Sequence, residues 1–352
     1  MLIIGSDFHP RFQQIAYLDK ESGEYGERRL NHPEEASQFY RGLVGKSVQI
    51  GLEATGSYRW FRRLVSELGH EIVVGDPSAI HATIPRRQQT DKRDARHILK
   101  LLVEDRFPAI WLPPVENEQV RQLLVHRCRM VQLRTRLMNQ LDAVAKDEGM
   151  LDPRVWQQKH RLQVEALPLT GWRAEQRNDL LGLLKELDKR IQPLNKAVRK
   201  LADENTEACR LMTHPGVGPI VALAYVQAIG DWQRFPRGKQ VASYLGLIPQ
   251  EASSAGKRQL GHISKQGNGM VRWLLTEAAT IAQRHDPSWH RQYVRLSMQK
   301  HHGVAKVAIA HKLAVRLYWM LRSGNDYEQV KERGSHAGQS GYPTGCSLQP
   351  KG

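Results

Sequence analysis

The chain opens with a short apolar run, Leu2-Ile3-Ile4, that reaches a carboxylate at Asp7. A continuous run of this length predicts a buried strand. Residues 12–18, Phe-Gln-Gln-Ile-Ala-Tyr-Leu, predict a second strand, and Glu21-Ser22-Gly23-Glu24 supplies the turn before a third around 26–31. Residues 34–44 read as a helix opened by Pro33 and two glutamates. Ser47 to Glu53 is another buried-type strand, again ending in an acid. Residues 57–68 carry Trp60, Phe61, Leu64 and Leu68 on one helical stripe. Glu71 to Gly75 is a strand closed by Asp76-Pro77. The basic loop Arg86-Arg87-Gln88-Gln89 then leads into Thr90-Asp91-Lys92-Arg93-Asp94-Ala95-Arg96 and a helical pattern through Ile98, Leu99, Leu101, Leu102 and Val103.

The predicted order is β-β-β-α-β-α-β-α. Three successive strands make an antiparallel meander, and the later alternation makes parallel neighbours through crossover helices. This is the order of an RNase H-like fold, in which acids at the ends of the first and fourth strands and on the last helix converge.

The pattern changes after residue 112. Residues 115–150 form one long helical stretch through Val120, Leu123, Leu124, Leu133, Leu137, Leu141 and Val144, studded with Arg121, Arg127, Arg129, Arg134 and Arg136. Pro153, Pro168 and Gly171 interrupt it. A second stretch runs over about 174–210, with Pro193 expected to kink or divide it. Together they suggest an antiparallel helical hairpin, which is also the pattern of an ordinary bundle. The leucines of 180–201 are expected to support self-association. Residues 211–249 read as compact and helical, 250–268 as a Gly/Ser/Lys-rich loop, and 269–284 and 304–323 as helices. From about Ser323 the chain lacks periodicity and is expected to be disordered.

Charge narrows the partners. Of 352 residues, 52 are Lys or Arg against 36 Asp or Glu, a net charge of +16. That balance points to a polyanion, with nucleic acid the default. No apolar run approaches the ~20 residues a spanning helix needs, so no membrane partner is expected. The N-terminus lacks the features of a signal peptide. Cys128, Cys209 and Cys346 show neither metal spacing nor a disulfide framework. A cytoplasmic protein with reduced thiols is expected.

Three constellations could carry chemistry. Asp7 and Glu53 each end a predicted buried strand, where a carboxylate is costly unless paired or bound to metal. Asp91 and Asp94 share a helical face. Four converging acids suit hard divalent cations and phosphodiester chemistry. The alternative reading is a solvated first turn and surface turn residues. Pro215-Gly216-Val217-Gly218, before the apolar helix Ile220 to Ile229, resembles a helix-hairpin-helix element whose backbone N–H groups grip phosphate. A plain turn between packed helices has the same letters. Ala252-Ser253-Ser254-Ala255-Gly256-Lys257-Arg258 offers a serine among cations, but most such stretches are simply loops.

Taken together, these motifs resemble the DEDD transposases, the RNA-guided recombinases of insertion sequences. Gly5-Ser6-Asp7, Leu52-Glu53-Ala54-Thr55-Gly56-Ser57-Tyr58 and Thr90-Asp91-Lys92-Arg93-Asp94-Ala95 look like that family's three acidic motifs. His214-Pro215-Gly216-Val217-Gly218-Pro219, Gly230-Asp231, Tyr244-Leu245-Gly246-Leu247-Ile248-Pro249 and Ile263-Ser264-Lys265-Gln266-Gly267-Asn268 resemble its C-terminal domain. The resemblance implies a RuvC-like nuclease domain over 1–112 and a helical coiled-coil linker and dimerisation region over 113–210. A mostly α-helical transposase domain would follow over 211–325, then a disordered tail over 326–352. It implies that Asp7, Glu53, Asp91 and Asp94 hold Mg²⁺ or Mn²⁺. Ser254, with Ser253 as its neighbour in register, would form a covalent link to DNA. The family has glycine directly after that serine, where this chain has Ala255. Implied partners are donor and target DNA, a structured noncoding guide RNA, and further copies of the chain, from dimer to tetramer. Arg86, Arg87, Arg121, Arg127, Arg134, Gly216, Gly218, Lys257, Arg258 and Lys265 are the expected nucleic-acid contacts. Two other functions use parts of the same pattern: a RuvC-type Holliday-junction nuclease, which needs no serine, and a non-catalytic nucleic-acid-binding protein, which needs no acids.

Overall fold

The computed structural model describes residues 1–54, 56, 58–84, 90–151, 153–251 and 260–332. Arg86, Arg87, Ser253, Ser254, Lys257 and Arg258 lie outside the described residues. The chain divides into two compact units, Met1–Val115 and Glu116–Gly352.

The first unit contains β1 (Leu2–Phe8), β2 (Phe12–Asp19), β3 (Tyr25–Asn31), α1 (Glu34–Arg41), β4 (Val48–Glu53), α2 (Arg59–Glu67), β5 (Glu71–Gly75), α3 (Pro77–Ala82) and α4 (Asp91–Val103). The strands form one sheet in the order β3-β2-β1-β4-β5. β1 is antiparallel to β2 and parallel to β4, and β5 continues the parallel half. This mixed sheet follows the element order predicted for an RNase H-like domain. Alternating side chains feed two apolar layers. Leu2, Ile4, Phe8, Ile15, Ile50 and Leu52 pack with Tyr40 of α1 and Phe61 and Val65 of α2. Ile3 and Ala16, on the opposite face, pack with Ala95, Ile98, Leu99 and Leu102 of α4.

The second unit begins with α5 (Glu118–Asp147), α6 (Gln158–Glu165) and α7 (Gly171–Asp203). α5 and α7 are antiparallel, as their side-chain pairs show. Arg127 Nε donates to Asn195 Oδ1 at 2.9 Å, Arg134 Nη1 lies 3.3 Å from Asp188 Oδ1, and Arg173 bonds Asp147 and Glu148. Partner numbers on α7 fall as those on α5 rise.

Three expectations are corrected here. Pro193 lies within α7 and does not divide it. Its ring is exposed while Ile191 and Val198 on either side are buried. Packing on that inner face holds the helix through the missing backbone donor. The break comes instead after Asp203, where Asn205 caps α8 (Thr206–Met212) by accepting from the Ala208 N–H at 2.8 Å. Second, Leu180, Leu184 and Ile191 of the 180–201 stripe are buried within this chain and so cannot face a partner, while Leu187, Leu194 and Leu201 are only partly buried. Third, the chain after Ser323 is not structureless throughout. Tyr327–Glu332 forms α14 because the Tyr327 ring is buried and its hydroxyl donates to Asp286 Oδ2 at 2.7 Å.

The remaining elements are α9 (Pro219–Ile229), α10 (Gly238–Tyr244), the ribbon β6 (Pro249–Glu251) and β7 (Leu260–Ile263), α11 (Gly269–His285), α12 (Pro287–Ser297) and α13 (His302–Ser323). α9 is apolar apart from Gln227 and buried at every residue from Ala222 to Ile229. It forms the centre of this unit's core with Leu275 of α11 and Leu313 and Leu317 of α13. Among the described residues no helix is long and apolar enough to cross a membrane.

Candidate active site

The geometry starts from two glycines. Gly5 on β1 and Gly51 on β4 stand opposite each other in the parallel register, and the next step but one along both strands is Asp7 and Glu53. α4 crosses directly over them. A β-carbon on Gly5 would lie 2.3 Å from the Leu99 nitrogen and 2.4 Å from the Ala95 carbonyl oxygen. One on Gly51 would lie 2.5 Å from Leu102 Cδ1. At Gly5 the obstacle is helix backbone, so only glycine allows this approach, whereas at Gly51 it is the end of the Leu102 side chain; the Gly5 contact sets the first turn of α4 beside the ends of β1 and β4. Thr90 starts the helix there: its backbone is extended and its carbonyl accepts from the Asp94 N–H at 3.0 Å. Acids in that first turn are also favoured by the helix dipole.

Of the four predicted acids, the structure brings Asp7 and Asp91 together with His9; Glu53 and Asp94 do not fall within that group. Asp7 Oδ2 is 3.1 Å from His9 Nε2, which is 3.8 Å from Asp91 Oδ1. One ligand atom from each of Asp7, His9 and Asp91 falls within 4.8 Å of the others. Glu53 Oε2 is 3.7 Å from His81 Nε2. Burial pushes the Asp7 carboxyl above its ordinary value; nearby His9 opposes this, while Asp94 and Asp91 add to it. Burial also raises Asp94, with His81 opposing and Asp91 adding. Carboxylates that are partly desolvated and repel one another suit a divalent cation, whose charge offsets both costs. The oxygen-rich donor set fits Mg²⁺ or Mn²⁺.

Beside Asp91 lies an open cleft of about 850 Å³, lined also by Gln14, Glu27, Arg28, Arg29 and Lys92. Asp7, Gln14 and Arg29 are aligned across β1, β2 and β3. Cations thus stand beside the acids, as a phosphate backbone would require.

The predicted nucleic-acid residues fare differently. Arg121 Nη1 donates to the Gln227 carbonyl at 2.7 Å, and Arg127 and Arg134 reach across to α7. All three therefore have partners within the chain. Arg129 and Arg136 of the same helix are exposed. Gly216 has φ +86°, and a β-carbon there would lie 2.6 Å from the Ala278 carbonyl oxygen. Its first role is thus close packing against α11. Gly218 is exposed at the N-terminus of α9 and offers no side-chain cap, leaving backbone donors of the first turn available. Lys265 is exposed in the loop after β7. The residues 252–259 that would carry Ser254 fall between β6 and β7. The root of this ribbon is pinned: the Ser264 N–H donates to the Ile248 carbonyl at 2.8 Å, and Arg272 Nη1 donates to the carbonyls of Leu245 and Gln266.

Sequence reasoning missed His9, His81, Arg29 and the packing role of Gly5 and Gly51. His9 had a usable signal, lying two residues beyond an acid at a strand end. The glycines carried none, because a close approach involves a helix some 90 residues away (Leu99 against Gly5).

Comparison with known proteins agrees with this architecture. Residues 4–148 match a transposase family of the DEDD type found in IS110 elements, and residues 208–295 match the transposase IS116/IS110/IS902 family. A probable family 20 transposase of Pseudomonas aeruginosa is 27% identical over 91% of this chain and 96% of its own length. The transposase for insertion sequence element IS1111A of Coxiella burnetii is 27% identical over 80% of this chain and 78% of its own. A pilin gene-inverting protein of Moraxella bovis is 25% identical over 80% and 83%.

Proposed function

The chain belongs to the DEDD transposases of insertion sequences and is a DNA transposase and recombinase, and from that premise we propose that it cuts and rejoins donor and target DNA under the guidance of a structured noncoding RNA. The observation that carries the chemistry is the meeting of Asp7 from β1 with Asp91 from the first turn of α4 around one set of donor atoms. Asp94, in the same first turn, and Glu53, at the end of β4, complete the acidic set. Mg²⁺ or Mn²⁺ bound by these acids would supply Lewis-acid charge at the phosphate undergoing exchange.

The chain's own residues do the rest. Gly5 keeps α4 close on the sheet and so holds the acids in one place. Arg28, Arg29 and Lys92 hold the strand's phosphates in the adjoining cleft. Ser254 acts as nucleophile: its Oγ–P bond forms as a backbone P–O bond breaks, and the hydroxyl proton ends on the departing oxygen. The ester conserves the bond energy, so attack by another strand's hydroxyl reverses the step and rejoins DNA without ATP. Lys257, Arg258 and Lys265 neutralise charge on the phosphate. The turn at Gly216 and Gly218, joining α8 to α9 in a helix-hairpin-helix manner, holds backbone phosphate without reading sequence. The α5–α7 hairpin acts as a coiled-coil-like arm. Two to four copies assemble, one offering acids and another its serine.

The test is a suicide DNA substrate with the matching RNA. Wild-type protein should form a covalent adduct, Ser254→Ala should bind DNA but form none, and Ser253→Ala should behave nearly as wild type. Cleavage by Ser254→Ala with water as acceptor would instead support a junction nuclease. Recombination without RNA would remove the guide from the proposal.

A further inference from the structure

We propose that His9 is a ligand of the cation at the acidic site, giving it a mixed nitrogen and oxygen donor set that favours transition-metal ions such as Mn²⁺ over Mg²⁺. This rests on the reading of the acids as a metal site. The four-acid motif contains no histidine, and nothing in that motif asks for one.

The geometry supplies it. His9 Nε2 stands 3.1 Å from Asp7 Oδ2 and 3.8 Å from Asp91 Oδ1, and the three donors lie within 4.8 Å of one another. Donors at ~2.1 Å from one small ion stand up to ~4.2 Å apart, so a slight side-chain adjustment closes this set onto a single centre. The imidazole is held, too. His9 sits at the turn from β1 to β2, where its backbone N–H donates to the Phe12 carbonyl at 2.9 Å. Its ring packs against the Phe12 ring, centroids 4.6 Å apart, and the Arg29 guanidinium lies over Phe12 at 3.7 Å. An Arg29–Phe12–His9 stack, built from β3, β2 and the turn, therefore fixes the ring beside the carboxylates. Fixing a ligand by its neighbours is how proteins tune metal sites.

The consequence is a shift in preference. Mg²⁺ takes oxygen donors and parts with water reluctantly, whereas imidazole suits the first-row transition metals. Replacing one oxygen position by His9 Nε2 weakens the advantage of Mg²⁺. The rival role for His9 is a hydrogen bond that orients Asp7 without touching the ion.

Pulsed electron paramagnetic resonance on the full-length chain loaded with Mn²⁺ separates these. A coordinated imidazole gives ¹⁴N modulation of the Mn²⁺ signal. Wild type should show it and His9→Asp should not. The ratio of Mn²⁺ to Mg²⁺ affinity, read by competition, should fall at least ~10-fold in His9→Asp. His81→Gln and His97→Gln should each keep the signal, which excludes the other two rings near Asp94. Absence of ¹⁴N modulation in wild type, its persistence in His9→Asp, or its loss in His81→Gln or His97→Gln would each overturn the inference. Should His9→Asp not fold, the wild-type, His81→Gln and His97→Gln spectra still decide it. Unchanged Mn²⁺ binding by Asp7→Asn and Asp91→Asn would instead remove the metal-site reading itself.

Discussion

Gly5 lies beneath Leu99 so closely that a single methyl group on it would reach within 2.3 Å of the Leu99 backbone nitrogen. The obstacle is helix backbone, which cannot rotate away as a side chain can. Gly5→Ala must therefore lift α4 or bend β1. Overpacking of this kind costs about 1–3 kcal/mol. It should also separate Asp91 and Asp94 from Asp7, two residues beyond Gly5. We expect a lower denaturation midpoint and strand cleavage reduced at least ~100-fold, since misplacement by ~1 Å costs that much. Full activity in Gly5→Ala would show that the close approach does not position the acids.

Removing the acids should separate stability from activity. Burial holds the Asp7 carboxyl above its ordinary value of 3.8, so at neutral pH its ionised form costs folding energy. That cost is absent below the ordinary value and complete above the raised one. Asp7→Asn removes it, and should raise the melting temperature of metal-free protein while ending strand cleavage. Thermal denaturation with and without added Mn²⁺ is the check. The variant should also lose the stabilisation that Mn²⁺ gives to wild type.

Asp91 and Asp94 are only partly buried in the first turn of α4 and lie outside its apolar core. Asp91→Ala and Asp94→Ala should leave circular dichroism and RNA binding near wild type while abolishing DNA cleavage. Recombination in cells by both variants would sink the acidic site.

The arginines of α5 should divide into two kinds. Arg127 bonds Asn195 across the helical pair, so Arg127→Gln should lower stability. Arg129 and Arg136 are exposed, and changing both to Gln should leave stability unchanged. If they touch nucleic acid, that pair should reduce the salt dependence of binding by up to ~2 in log–log slope. Equal salt slopes in wild type and the double variant would exclude them from the interface.

The second unit should soften in mild acid through His214. Its ring is buried against Trp289 and Tyr327, and its Nδ1 lies 2.7 Å from the Pro215 carbonyl. Burial pushes the imidazole down from 6.5 to about 4, with Arg316 adding to the effect and Asp286 opposing it. The unfolded chain takes up a proton below about 6.5, whereas the folded one resists until about 4. Stability is therefore full above the upper value and falls as pH drops through this window, by about 3 kcal/mol in all. Urea denaturation at stepped pH should show the decline in wild type. His214→Phe, which keeps an aromatic ring there, should lose most of that slope.

Much of this protein was legible in one dimension. Alternating and continuous apolar runs located β1 to β5 because burial imposes period two on strands facing a core. The acids at the ends of β1 and β4 stood out because a carboxylate after buried apolar residues needs a reason. The ordered motifs around Asp7, Glu53, Asp91, His214 and Lys265 indicated the family. Tertiary structure decided what depends on contact between distant segments. Pro193 stays helical because Ile191 and Val198 hold the inner face of α7. Arg127 and Arg134 read as phosphate contacts until α7 places Asn195 and Asp188 opposite them, since a charged side chain on a helix looks the same with either partner. Leu180 and Leu184 read as a dimer seam until α5 and α6 cover them. Above all, periodicity shows that α4 is amphipathic but not how near it lies to the sheet. That distance is set by the missing side chain of Gly5, which faces the backbone of α4, and through it the position of Asp91 beside Asp7 and His9.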